Sequence, residues 1–206
     1  MDYTYPLPPK NLHTRYDSIF AAFKKGLCCT LIGLPLSARS GYLKFILEYS
    51  SKFLSEFINP DIYKFIVLQD ISTAESLVHT LAAKILDLKV LDSPTQSTLE
   101  NRLKIHDLHL TLASLETAVK SLGNKKLVIV IYEAEKILEN NPTNISTLLR
   151  LWNVDRNQPH TKVHLCFIGS PRLLETKHKS IWAPLRPALE ETTIYFPLFD
   201  PKEMAY

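Results

Sequence analysis

Residues 27–40 read Leu27-Cys28-Cys29-Thr30-Leu31-Ile32-Gly33-Leu34-Pro35-Leu36-Ser37-Ala38-Arg39-Ser40 (LCCTLIGLPLSARS). An apolar run rich in strand-forming residues stops at Gly33, a short loop follows, and Ser40 opens a new segment. From Ser40 to Phe57, the residues Leu43, Ile46, Leu47, Phe53 and Leu54 recur at helical spacing. Strand, loop and helix in that order make the first half of a βαβ unit.

The same alternation continues outward. Apolar runs at 63–68 (YKFIVL), 127–132 (LVIVIY), 163–168 (VHLCFI) and 192–196 (TTIYF) predict four further strands. The run at 127–132 shows almost no alternation, as expected of a central strand covered on both faces. Helical periodicity predicts helices over 73–88, 99–122 and 144–152, and Asp92-Ser93-Pro94 marks 88–99 as a surface loop. Strands alternating with helices require crossovers and a parallel sheet. The expected fold class is α/β, a three-layer sandwich around a five-stranded parallel sheet.

In such a sheet ligands bind at the carboxyl ends of the strands, so the loop after the first strand matters most. The phosphate-loop pattern is Gly, four residues, then Gly-Lys-Ser/Thr. Gly33 and Ser40 match at the right spacing, while Ala38 replaces the second glycine and Arg39 the lysine. Were position 38 to need a positive φ, its Cβ would cost about 1–2 kcal/mol. Arg39 keeps a positive charge but on a planar, bulkier fork. The stretch therefore fits a phosphate cradle or an ordinary strand-to-helix loop with a serine N-cap. Only five glycines occur in the chain, so no second glycine-rich loop competes.

The run at 127–132 ends in Tyr132-Glu133-Ala134-Glu135. An acidic strand end beside a phosphate loop would supply one carboxylate to the Mg²⁺ shell and a second to orient the attacking water. Glu133 stands where the water-orienting carboxylate belongs, and Tyr132 where the metal-facing one belongs. Glu135 reads as a solvated residue of a helix's first turn, favourable to the helix dipole, and the same reading is the alternative for Glu133.

With these residues in view, the chain resembles the AAA+ ATPases of the origin-recognition and initiator-loader type, and the related signalling ATPases. His13-Thr14-Arg15-Tyr16-Asp17 is similar to the Gly-Arg-Glu segment that lies near the adenine in that family. Phe167-Ile168-Gly169-Ser170 resembles its sensor strand, and Pro184-Leu185-Arg186-Pro187-Ala188-Leu189 with Ile194-Tyr195-Phe196-Pro197 resembles its arginine-finger tail.

The resemblance implies the strand order 5-1-4-3-2 and the cofactors ATP and Mg²⁺. It implies nucleotide contacts by Arg15, Gly33, Leu34, Pro35, Ser37, Ala38, Arg39, Ser40, Gly41 and Ser170. Ser40 would reach the metal, and Glu133 and Arg186 would be the catalytic candidates. Departures at 38, 39 and 132 imply impaired turnover or, alternatively, an interaction platform that no longer binds nucleotide. The domain expectation is an N-terminal segment and first helix over 1–26, a core over 27–199, and at 200–206 the start of a truncated lid, the helical lid itself being absent.

Bulk properties set limits. The net charge is +3 and the hydrophobic fraction 46%, ordinary for a soluble globular domain and low for a dedicated nucleic-acid binder. The basic groups Lys24-Lys25, Lys125-Lys126 and Lys177-His178-Lys179 read as solvated faces. Cys28, Cys29 and Cys166 lie in apolar runs without metal-ligand spacing. Among seven histidines only His106 and His109 are close, in what reads as one exposed helix turn. Trp152 and Trp182 are expected to pack helices onto the sheet. The N-terminus is polar and Pro-rich, and no apolar run suits a membrane helix, so a cytoplasmic location without membrane contact is expected. Partners would be nucleotide and other proteins or a second copy, with nucleic acid by family analogy.

Overall fold

The computed structural model describes residues 18–19, 21–33, 61–69, 71, 73–139, 142–154, 162–174 and 183–195. The chain is helical at 18–19 and 21–24. β1 (Cys29–Ile32) and β2 (Tyr63–Leu68) follow, and then the helices α1 (Ala74–Asp87), α2 (Ser93–Ile105) and α3 (Leu108–Lys120). Next come β3 (Lys126–Tyr132), α4 (Ala134–Glu139), α5 (Pro142–Asn153) and β4 (Val163–Gly169). Two 3₁₀ turns (Pro171–Leu174 and Ala183–Leu185), α6 (Arg186–Glu190) and β5 (Thr193–Tyr195) complete the described order. The predicted helix beginning at Ser40 and Trp182 lie outside the described residues.

All four strand pairings are parallel and the sheet order is β2-β3-β4-β1-β5. This is the expected order, read from the other edge. Burial explains why the sequence announced the strands: Leu127–Ile131 and the whole of β4 are buried, so side chains on both faces are apolar, with His164 of β4 the exception. Successive residues alternate between two cores. Leu127, Ile129, Ile131, Leu165 and Phe167 meet α1, α3, α4, α5 and α6 on one face. Val128, Val130, Cys166 and Ile168 meet Ile19, Ala22 and Phe23 on the other. The expected three layers are present, and Trp152 of α5 is packed in the first core.

Two expectations fail between β2 and β3. Residues 88–99 are not simply a loop, and 99–122 is not one helix. α2 starts at Ser93, capped by Asp92, whose carboxylate accepts the Thr95 N–H at 2.8 Å. Proline in the first turn suits a helix start, because its missing N–H would have no partner there. His106 then adopts a left-handed φ of 56°, ending α2, and Asp107 caps α3 by accepting the Leu110 N–H at 2.9 Å. His106 and His109 are exposed, as expected, but they flank a junction rather than sharing a continuous turn. No described helix is long and apolar enough to cross a membrane.

Candidate functional site

The carboxyl edge of the sheet is built by the ends of β1, β4 and β3. Ile32 pairs with Gly169, and Tyr132 pairs with Ile168, so all three strands finish level. Gly33, the first residue after β1, donates its N–H to the Gly169 carbonyl at 3.0 Å. With strands spaced about 4.8 Å apart, the ends of β1 and β3 stand about 10 Å apart across β4. The loop that opens at Gly33 thus leaves the sheet at the rim where the acidic strand end arrives. Leu34, Pro35, Ser37, Ala38, Arg39, Ser40, Gly41 and Arg15 lie outside the described residues.

Glu133 is the single residue between β3 and α4, and it has a φ of 50°. A non-glycine residue in the left-handed region costs about 1–2 kcal/mol. Such strain persists where surrounding structure enforces it, and it clusters at functional sites. The abrupt junction enforces it here: the Glu133 carbonyl already accepts the Lys136 N–H at 2.9 Å. Its partly exposed carboxylate accepts from Lys136 Nζ at 2.7 Å. Tyr132 is half-buried and packs against the second core.

Glu135 is a correction. It is not solvated but 9% exposed, and its Oε1 accepts the Ser170 backbone N–H at 3.0 Å. Glu135 Oε2 and Ser170 Oγ are both buried without a hydrogen-bond partner. Beneath them lies Gly169, where a Cβ would collide with the Glu135 carboxylate and press on Leu173 Cδ2 at 3.1 Å. Sequence reasoning named Gly169 only as part of the sensor stretch and gave Glu135 no place at the site. The available signal was a glycine closing a strand that is apolar but for His164, in a chain that has few glycines to spare.

Arg186 stands at the surface, opening α6, with its Nε donating to Glu190 Oε1 at 2.9 Å. That ion pair lies within α6 itself, between residues four apart.

No family model matches the sequence, and no curated protein matches it significantly. Solved structures do match it in shape. Superposed on the Aeropyrum pernix ORC1 protein, solved in complex with DNA, the chain gives a TM-score of 0.63 at 15% identity, covering 98% of this chain and 49% of that one. The ADP form of the Aeropyrum pernix ORC2 protein gives 0.64 at 12% identity, covering 98% and 53%. The fold is that of these origin-recognition proteins. Drosophila ORC bound to AT-rich DNA and Cdc6 shares it at a TM-score of 0.52 and 13% identity, over 95% of this chain and 59% of the other. The chain spans about half the length of the two archaeal origin-recognition proteins, and at these identities the likeness is one of fold.

Proposed function

We propose that this chain is an AAA+ nucleotide-binding module that takes ATP with Mg²⁺ at the carboxyl edge of its sheet and turns it over slowly or not at all. The observation that carries the reading is the Gly33 N–H on the Gly169 carbonyl. It starts the degenerate phosphate loop one strand away from Ser170 and two from Glu133. Ser170 Oγ, buried and lacking a partner, is a donor left over for a phosphate oxygen. On this reading residues 33–41 wrap the phosphates, with Arg39 supplying charge and the Ser40 hydroxyl facing the metal, while Arg15 lies near the adenine. The origin-recognition protein solved in its ADP form adds support by likeness of fold.

Slow turnover follows from the acidic end. A phenol at 132 is a poor substitute for a carboxylate at Mg²⁺, and Glu133 is engaged by Lys136 rather than free to orient water. Arg186, exposed on α6, would act only toward a neighbouring subunit, which makes self-association or a related protein part of the proposal. DNA as a partner rests on likeness of fold alone; a net charge of +3 adds little to it.

Titration with a fluorescent ATP analogue and Mg²⁺ tests the reading. Saturable binding is expected, weakened by about tenfold in Arg39→Ala through loss of a charge-assisted phosphate contact. No binding at millimolar nucleotide overturns it and leaves the fold as an interaction platform. Tyr132→Asp should raise turnover in a protein that binds; unchanged turnover would show that Glu133 is not the water-orienting group.

A further inference from the structure

Glu135 is an acid in a place that suits one poorly. Burying a carboxylate costs several kcal/mol after relaxation unless hydrogen bonds replace its water. Here one oxygen accepts the Ser170 N–H and the other has no partner. An apolar residue in the same space would serve the packing of α4 at least as well. What the carboxylate adds is geometry. It takes the amide that follows the last residue of β4, and its bulk occupies the space above Gly169, which is open only because Gly169 lacks a Cβ. The Gly169 carbonyl in turn takes the Gly33 N–H. A continuous path of two hydrogen bonds and one close contact therefore runs from the first turn of α4, across the end of β4, to the start of the phosphate loop.

We propose that Glu135 is a positioning residue: it fixes the end of β4 through Ser170 and Gly169, and through the Gly169 carbonyl it sets the direction in which the chain leaves Gly33 toward bound phosphate. It links the acidic strand end to the phosphate loop across the one strand that separates them, and it does so without touching nucleotide. The proposal rests on the nucleotide reading for its ligand but not for its geometry.

The test uses the full chain as Glu135→Ala and Glu135→Gln. Glutamine keeps the shape, and its side-chain carbonyl can accept the Ser170 N–H. Amide hydrogen exchange without nucleotide should quicken at both Ser170 and Gly33 in the alanine variant and at neither in the glutamine variant, with β2 and β3 amides unchanged in both. Affinity for the fluorescent ATP analogue should fall by about tenfold in Glu135→Ala and stay within about threefold in Glu135→Gln, the difference being one charged-group hydrogen bond.

Unchanged exchange at Gly33 in the alanine variant, or equal effects of the two substitutions, overturns the proposal. If Glu135→Ala loses protection throughout β2 and β3, Glu135→Asp takes its place, because a carboxylate one methylene shorter falls short of Ser170. Should the wild-type chain bind no nucleotide, the functional reading fails, while the contrast in Gly33 exchange still upholds or overturns the clamp.

Discussion

The carboxylate of Glu133 lies 2.7 Å from the ammonium of Lys136, within the turn that carries the chain from β3 into α4. The pair is partly exposed, and such pairs contribute little to stability. The backbone beneath it, at φ 50°, costs more than the pair returns. Glu133→Gly should therefore stabilise the domain by about 1 kcal/mol, since glycine adopts this conformation freely. Urea denaturation at neutral pH measures it. A loss of stability would mean that the carboxylate holds the junction more strongly than an exposed ion pair can.

Gly169→Ala should destabilise by about 1–3 kcal/mol, because the new methyl meets a buried carboxylate and Leu173. Combined with Glu135→Ala, the loss should be smaller than the sum of the two single losses, because the second substitution empties the space that the first one needs. Strict additivity in a double-mutant cycle would remove the contact from consideration.

His164 lies in β4 with no exposed surface, its ring 5.9 Å from that of Phe23 and 6.3 Å from that of Tyr63. Neither ring nitrogen makes a hydrogen bond of good geometry, and the Leu27 backbone opposes the shift only weakly. Burial, aided by nearby Lys126, lowers the ring from an ordinary 6.5 to about 4. The folded protein therefore keeps His164 neutral while the unfolded chain takes up a proton below pH 6.5. Stability should be full above that value and fall by up to about 3 kcal/mol as pH drops toward 4. His164→Leu should flatten this part of the profile. Parallel wild-type and variant curves in denaturant titrations from pH 7 to 4 would show that the ring does not stay neutral.

Asp107→Ala should cost about 1 kcal/mol through loss of the cap on α3. Thermal denaturation followed by circular dichroism is sufficient. Because α2 buries only Leu99, the same variant should also quicken amide exchange across α2 before the rest of the domain opens.

The strands were legible because parallel strands buried on both faces must be continuous apolar runs, and Tyr63–Leu68 falls at its predicted bounds. α2 was not, because a helix with one buried residue leaves almost no periodic signal. Asp-Ser-Pro serves a loop and a capped helix start equally well, and only the Asp92 contact to the Thr95 amide separates the two. At the rim, Glu133 could be found from its place after the strand, but the strain at its backbone could not, since it arises from a one-residue connection. Glu135 was misplaced for a different reason. Its partner is a backbone amide 35 residues away, and main-chain donors have no letter in a sequence.

The three cysteines of this chain are all free, all buried, and all pushed well above the ordinary thiol range by burial. Since the thiolate is the reactive form, native protein should be nearly inert to maleimides. Asn124 is exposed in the turn entering β3, at the end of the sheet opposite Gly33 and Glu133. A single Asn124→Cys substitution would then accept a dye or a surface anchor alone, and a domain immobilised there would present its carboxyl rim to solution.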